Sequence, residues 1–240
     1  MIIGIDASGA NHKERTGVEW YAFHVIHELA TLDRKNSYRL YTWEPLRKDL
    51  QDLPDNFESV VLPKWKFWSY TALSWELYRN KVDRLFVPSH IVPLVHPKQT
   101  VVTIHDLGFR HFPKNYSKYH YLNLHVGTRL SARWASRIAV PSKVVAEDVH
   151  QYYGVPSEKI TGVPNGYDTG MFKGLTPKRV AEVMKHHGVR DPYILFIGRL
   201  EVRKNVSRLI EAFYRLRDSG LFGGQLVLVG NPGVGYEEIR

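Results

Sequence analysis

Short apolar runs alternate with amphipathic stretches along nearly the whole chain, and that alternation leaves few architectures open. The runs Ile2–Asp6, Tyr38–Trp43, Ser59–Leu62, Arg84–Val87, Thr100–His105, Arg137–Val140 and Lys159–Val163 read as strands. Between them, Val18–Thr31, Phe67–Arg79, Tyr116–Trp134 and Ser142–Tyr153 carry apolar residues three and four apart, the spacing of a helix with one face toward a core. Gly154, Val155 and Pro156 stop the last of these helices. Parallel neighbours are joined only by long crossovers, so repeated strand and helix predicts an α/β fold with a doubly wound parallel sheet.

A turn cluster at Pro164, Asn165 and Gly166 leads into the loosely patterned YDTGMFKGLTP, and a second unit begins. Thr176 caps a helix with Pro177 at its first position and Gly188 just past its end. A strand Tyr193–Ile197, a helix from Lys204, a strand Gln225–Val229 and the start of a helix after Gly235 follow. The expected division is a Rossmann-like domain over 1–167, a hinge and linking helix over 168–190, and an incomplete second Rossmann-like domain over 191–240. Two strands are too few for a doubly wound sheet.

Composition narrows the partners. Hydrophobic residues make up 43% of the 240 residues and no run is continuous enough to span a bilayer, which describes a globular chain. MIIGIDASG reads as a first strand rather than a signal peptide, and without cysteine there is no disulfide or thiolate chemistry, so the expected location is cytoplasmic. The formal net charge of +9 asks for an acidic partner: nucleic acid, an anionic membrane face or a nucleotide substrate. Without a basic arm, nucleic acid is not the expected one.

Chemistry concentrates at strand ends. FIGRLEVRKN carries Arg199, Arg203 and Lys204 just past a strand, with Lys204 at the start of the next helix. The helix dipole disfavours a cation there, whereas its free N–H groups and the cations together suit a phosphate. In ASGANHKERTGVEWY, Gly17 opens a helix and permits close approach of backbone to a ligand, or serves the turn alone. TIHDLGF sets His105 and Asp106 at a strand's carboxyl end, where open α/β sheets contact ligands; hydrogen bonding within the turn and capping are the structural alternatives. Ser142 in AVPSK reads as a helix N-cap. No G-x-S-x-G, H-E-x-x-H or D-x-D occurs, so neither a hydrolase elbow nor a metal site is expected. The aromatic segment WKFWSYTALSWELY suits a core more readily than membrane or stacking contacts.

Taken in order, TGVEWY, TIHDLGF, SRIAVPSKVVAEDV, the V-P-N-G-x-D hinge and FIGRLEVRKNVSRLIEAF resemble the family 4 glycosyltransferases of GT-B fold. The resemblance implies transfer of a sugar, hexosyl or mannosyl, from a nucleotide-diphosphate sugar donor to a glycan or lipid-linked acceptor. Retention of configuration, no metal, no further cofactor and peripheral contact with the inner membrane face are part of the same implication. It assigns catalysis to Arg199, Lys204 and His105, and substrate binding to Gly17, Asp106, Ser142 and Asn165. The family's E-x7-E glutamate pair does not occur, so the chain is expected to be truncated and inactive alone. A non-catalytic nucleotide-sugar binding or scaffold protein and another GT-B enzyme, such as a nucleotide-sugar epimerase, are the alternatives.

Overall fold

A computed structural model describes residues 1–89 and 91–239. Contacts divide the chain into two units, Met1–Gly166 and Tyr167–Arg240. The first unit is built on strands β1 (Ile2–Asp6), β2 (Ser37–Thr42), β3 (Phe57–Val61), β4 (Arg84–Val87), β5 (Gln99–Thr103), β6 (Arg137–Val140) and β7 (Ile160–Gly162). All pair in parallel, in the order β3-β2-β1-β4-β5-β6-β7. The order reverses between β1 and β4, which opens a crevice at their carboxyl ends, the place where such sheets take ligands.

Helices α1 (Gly17–Leu32), α2 (Ser74–Arg79), α3 (Gly108–His111), α4 (Lys118–Trp134) and α5 (Lys143–Tyr153) make up the crossovers. Strand alternation sends side chains to two separate cores. Tyr38 and Leu40 of β2 join Ile5, Ala22 and Ile26 under α1, while Tyr41 joins Leu73, Leu85, Val102, Ile138 and Val149 in the other. Two-sided burial explains why the strands read as short apolar runs.

Two expected elements differ. Phe67–Arg79 is not one helix: Phe67 takes a positive φ of 56°, a π-helical turn covers Ser69–Leu73, and only then does α2 begin. The wider turn keeps Trp68, Leu73 and Leu77 in the core, and Leu73 N donates to Trp68 O at 3.0 Å. β5 ends at Thr103 rather than at His105, although Ile104 N still donates to Ala139 O.

The second unit holds α6 (Pro177–His186), β8 (Tyr193–Ile197), α7 (Val206–Asp218) and β9 (Gln225–Val229). β8 and β9 pair in parallel, and Leu200, Val206 and Ile239 form a small core with Phe196, Ile210 and Leu228 against it. Thr176 caps α6, its hydroxyl accepting from Arg179 N, and Gly188 follows at φ +66°. The helix expected from Lys204 starts two residues later, because a 3-10 turn over Val202–Lys204 ends in Asn205 at φ 56°. After Gly235 there is a single 3-10 turn, Tyr236–Glu238.

Gly4 lies where backbone and side chains pack closely, since a Cβ there would stand 2.8 Å from Tyr41 Cε2 and 3.3 Å from Leu85 Cδ1. Gly4→Ala is predicted to cost about 1–3 kcal/mol of unfolding free energy by overpacking, measured in a denaturant titration.

Candidate functional site

β1 carries an acid into the crevice. Asp6 is buried at its last position, Ser8 donates to its carboxylate from Oγ (2.6 Å) and N (3.1 Å), and burial pushes its pKa up. The following loop is rigid. Asn11 Nδ2 donates to Pro45 O (3.0 Å) while its Oδ1 accepts from Arg47 N (2.8 Å). Arg15 grips Asp49 with both terminal nitrogens (2.6 and 3.1 Å), donates to Ala10 O and lies over the Phe23 ring. The loop therefore enters α1 from fixed ground.

Thr16 is the N-cap of α1 and exchanges hydrogen bonds with Glu19, a capping box. Gly17 occupies the first helical position, and a Cβ there would meet nothing within 4 Å. The fold around it therefore leaves room for a side chain. Tyr21, one turn along, hydrogen-bonds through its hydroxyl to Thr103 Oγ1 (3.1 Å) and sets its ring edge-on to His105 at 4.8 Å. His105 Nε2 donates to Pro88 O beyond β4 (2.7 Å), which fixes the tautomer with the proton on Nε2 when the ring is neutral. Burial lowers the His105 pKa. Tyr21 and Pro88 thus hold His105 past the carboxyl ends of β4 and β5, with Gly17 a turn before Tyr21 and Asp6 closing the neighbouring β1.

The other first-unit residues hold turns. Asp106 Oδ1 accepts from Gly108 N (2.7 Å) at the start of α3, and Ser142 Oγ accepts from Val145 N (3.3 Å) as the N-cap of α5. Asn165 is exposed in the last loop of the unit. Asp6 and Tyr21 escape the sequence reading; an acid closing an apolar strand in IIGID is the signal that marks the first.

In the second unit the three cations past β8 separate into two kinds. Arg203 Nη2 pairs with Glu201 at 2.9 Å, and its Nε donates to the same oxygen. Arg199 and Lys204 are exposed, and among the described residues neither side chain has an ion-pair or hydrogen-bond partner. Beside them runs the loop after β9. Leu200 N donates to Asn231 O, Gly233 N to Leu200 O, and Val202 N to Val234 O. A Cβ on Gly230 would lie 1.8 Å from Gly198 O, and one on Gly233 would lie 3.2 Å from Arg199 Cγ, so glycine lets the two loops touch. The G-x-x-G-x-G spacing of Gly230, Gly233 and Gly235 after a strand is the signal for this second loop.

Among the described residues there is no group of three or more His, Cys, Asp or Glu side chains that could hold a metal ion, and no helix is long and apolar enough to cross a membrane.

The family model of Glycosyltransferase Family 4 matches residues 15–170. Among solved structures, the chain is similar in fold to Anabaena HepE in complex with UDP and glucose, with TM-score 0.64 and 19% identity over 99% of this chain and 63% of that one. It is similar to the sucrose-phosphate synthase of Thermosynechococcus elongatus, with TM-score 0.62 and 14% identity over 100% of this chain and 72% of the other. A glycosyltransferase from Rickettsia africae matches with TM-score 0.58 and 15% identity, over 95% of this chain and 60% of its own length. The chain therefore spans 63% of the length of HepE. No curated protein matches it.

Two predictions separate fold from function here. Gly17→Ala is predicted to leave stability unchanged or raise it by up to about 1 kcal/mol, while weakening any ligand that approaches the helix end. His105 has a lower pKa folded than its ordinary 6.5. Between those two values the unfolded chain binds more protons, so this histidine's contribution to stability falls as pH drops through 6.5. His105→Asn should flatten that part of a plot of melting temperature against pH.

Proposed function

Because the chain belongs to Glycosyltransferase Family 4 through residues 15–170, we propose that it serves the transfer of a hexosyl or mannosyl group from a nucleotide-diphosphate sugar to a glycan or lipid-linked acceptor. The reaction is taken to retain configuration and to need no metal, and to proceed on the cytoplasmic side with peripheral contact to the inner membrane face. The observation that carries this reading is the state of the cations past β8. Glu201 neutralises Arg203 and, among the described residues, leaves Arg199 and Lys204 without partners, on a loop that glycines hold close to its neighbour. The HepE structures hold UDP in one case, UDP and glucose in another and UDP-glucose in a third.

Breaking the bond between sugar and diphosphate leaves negative charge on the departing phosphate oxygens. Cations already fixed at that position stabilise the charge as it develops, without reorganisation at the moment of reaction. Arg199 and Lys204 take that role. In the first unit, His105 faces the sugar with a neutral ring, and the open space at Gly17 receives donor phosphate or acceptor against backbone. Asp106 and Ser142, which hold the adjoining turns, and the exposed Asn165 take the remaining contacts with substrate.

Calorimetric titration with UDP and GDP tests the reading. Arg199→Ala and Lys204→Ala are each predicted to weaken UDP by about tenfold, with affinity falling as salt rises because the charges are exposed. Arg203→Ala should also weaken UDP, since it leaves the Glu201 carboxylate uncompensated beside the phosphate. UDP affinity unchanged in both Arg199→Ala and Lys204→Ala would overturn the assignment.

A further inference from the structure

Strand β3 closes one side of the first sheet and, among the described residues, pairs only with β2. Its backbone faces two ways. Asn56 O accepts from Tyr38 N (2.7 Å) and Leu62 N donates to Thr42 O (2.8 Å), so the even-numbered residues from 56 to 62 turn their N–H and C=O groups toward β2. Phe57, Ser59 and Val61 turn theirs outward. Among the described residues only Phe57 N of this outward set is answered, by Pro54 O at 2.9 Å.

Sheets that must stay single cover such an edge or blunt it with proline, lysine or a bulge. Here the strand reads FESVV, without proline, glycine or lysine, and Val61 and Trp65 are 49% and 50% exposed. Pro45, Leu46 and Leu53 of the loop after β2, with Phe57, Ser59 and Val61 of β3, line an open hollow of about 340 Å³.

Charge selects the strand that fits this edge. Exposed Asp52 and Asp55 precede β3, and exposed Lys64 and Lys66 follow it. A parallel neighbour of the same sequence sets acid against acid and base against base, whereas an antiparallel one sets each acidic end against a basic end. An antiparallel register centred on Ser59 puts Ser59 opposite Ser59, Phe57 opposite Val61 and Glu58 opposite Val60. No like charges then stand directly opposite, and Glu58 is already paired with Arg39 at 3.5 Å.

We propose that the first unit associates with a second copy of this chain through β3, antiparallel about a two-fold axis at Ser59. The contact is isologous: Ser59 N of each copy donates to Ser59 O of the other, and Val61 N of each to Phe57 O of the other. It joins two seven-stranded sheets into one. Phe57 and Val61 meet beside the hollow as an aromatic and β-branched pair across the strands, and Lys64 and Lys66 of each copy reach Asp55 and Asp52 of the other. β3 is separated from the crevice between β1 and β4 by β2, and the inference does not rest on the sugar-transfer reading.

The experiment is sedimentation velocity of the full chain across a wide range of concentration. The expected result is an equilibrium between monomer and dimer. Ser59→Pro removes an outward N–H and leaves the bonds to β2 in place, so it should weaken dimerisation at least about tenfold with a melting temperature close to the parent's. Asp52→Lys/Asp55→Lys should weaken it by a similar factor. Adding Lys64→Glu/Lys66→Glu to the same chain should restore it, because acidic and basic ends again face each other. The chain has no cysteine, so Ser59→Cys isolates one contact. The Cα separation of a hydrogen-bonded antiparallel pair, about 5.5 Å, lies in the disulfide range, and mild oxidation should give a covalent dimer that Glu58→Cys does not give. A parent chain that is monomeric at every concentration overturns the proposal. So does dimerisation that Ser59→Pro or the acidic-end variant leaves unchanged, or cross-linking through Glu58→Cys in place of Ser59→Cys.

Discussion

Parallel pairing of seven neighbouring strands is the constraint from which the rest of the first unit follows. Each strand must be re-entered from the same end, so every crossover returns across a face of the sheet and every carboxyl end opens on one edge. The faces are then buried by helices, and the strands lose the alternation of polar and apolar residues that a half-solvated sheet would show. The same constraint gathers Asp6, Pro88 and His105, distant in sequence, at the point where the strand order reverses between β1 and β4. Chemistry at that edge is a consequence of topology before it is a matter of residue type.

Rigidity in the loops gives this edge its value. Arg15 is spent on Asp49, on Ala10 and on the ring of Phe23, so the path into α1 is fixed by charge and stacking rather than by burial alone. His105 is held between the Pro88 carbonyl and the Tyr21 ring, and burial disfavours its charged form. In the second unit the division of labour is electrostatic. Glu201 and Arg203 satisfy each other, and the positive charge left over resides on Arg199 and Lys204. A phosphate meeting this loop displaces no internal ion pair.

Much of this was legible in the sequence because the signals were local. Strand positions follow from short apolar runs, and the caps at Thr176 and Ser142 from the residue types that accept a helix N–H. The start of α7 was not legible, since Asn205 adopts a left-handed backbone that favours asparagine without requiring it, and this moves Lys204 out of the helix. The break at Phe67 was not legible either. Helical spacing continues through the segment, and only the need to keep Trp68, Leu73 and Leu77 in one core selects a π-helical turn. Which of three cations would be paired depended on Glu201 reaching Arg203 rather than Arg199, a choice made by side-chain geometry that spacing does not encode.

The central claim is that Arg199 and Lys204 recognise the phosphates of a nucleotide donor. The most direct test compares the affinities of the chain for uridine, UMP and UDP under one buffer condition. The account predicts that affinity rises with each phosphate and that UDP exceeds uridine by about a hundredfold or more, the scale of two charge-assisted contacts. Uridine binding as tightly as UDP would place recognition on the base and ribose and contradict the claim.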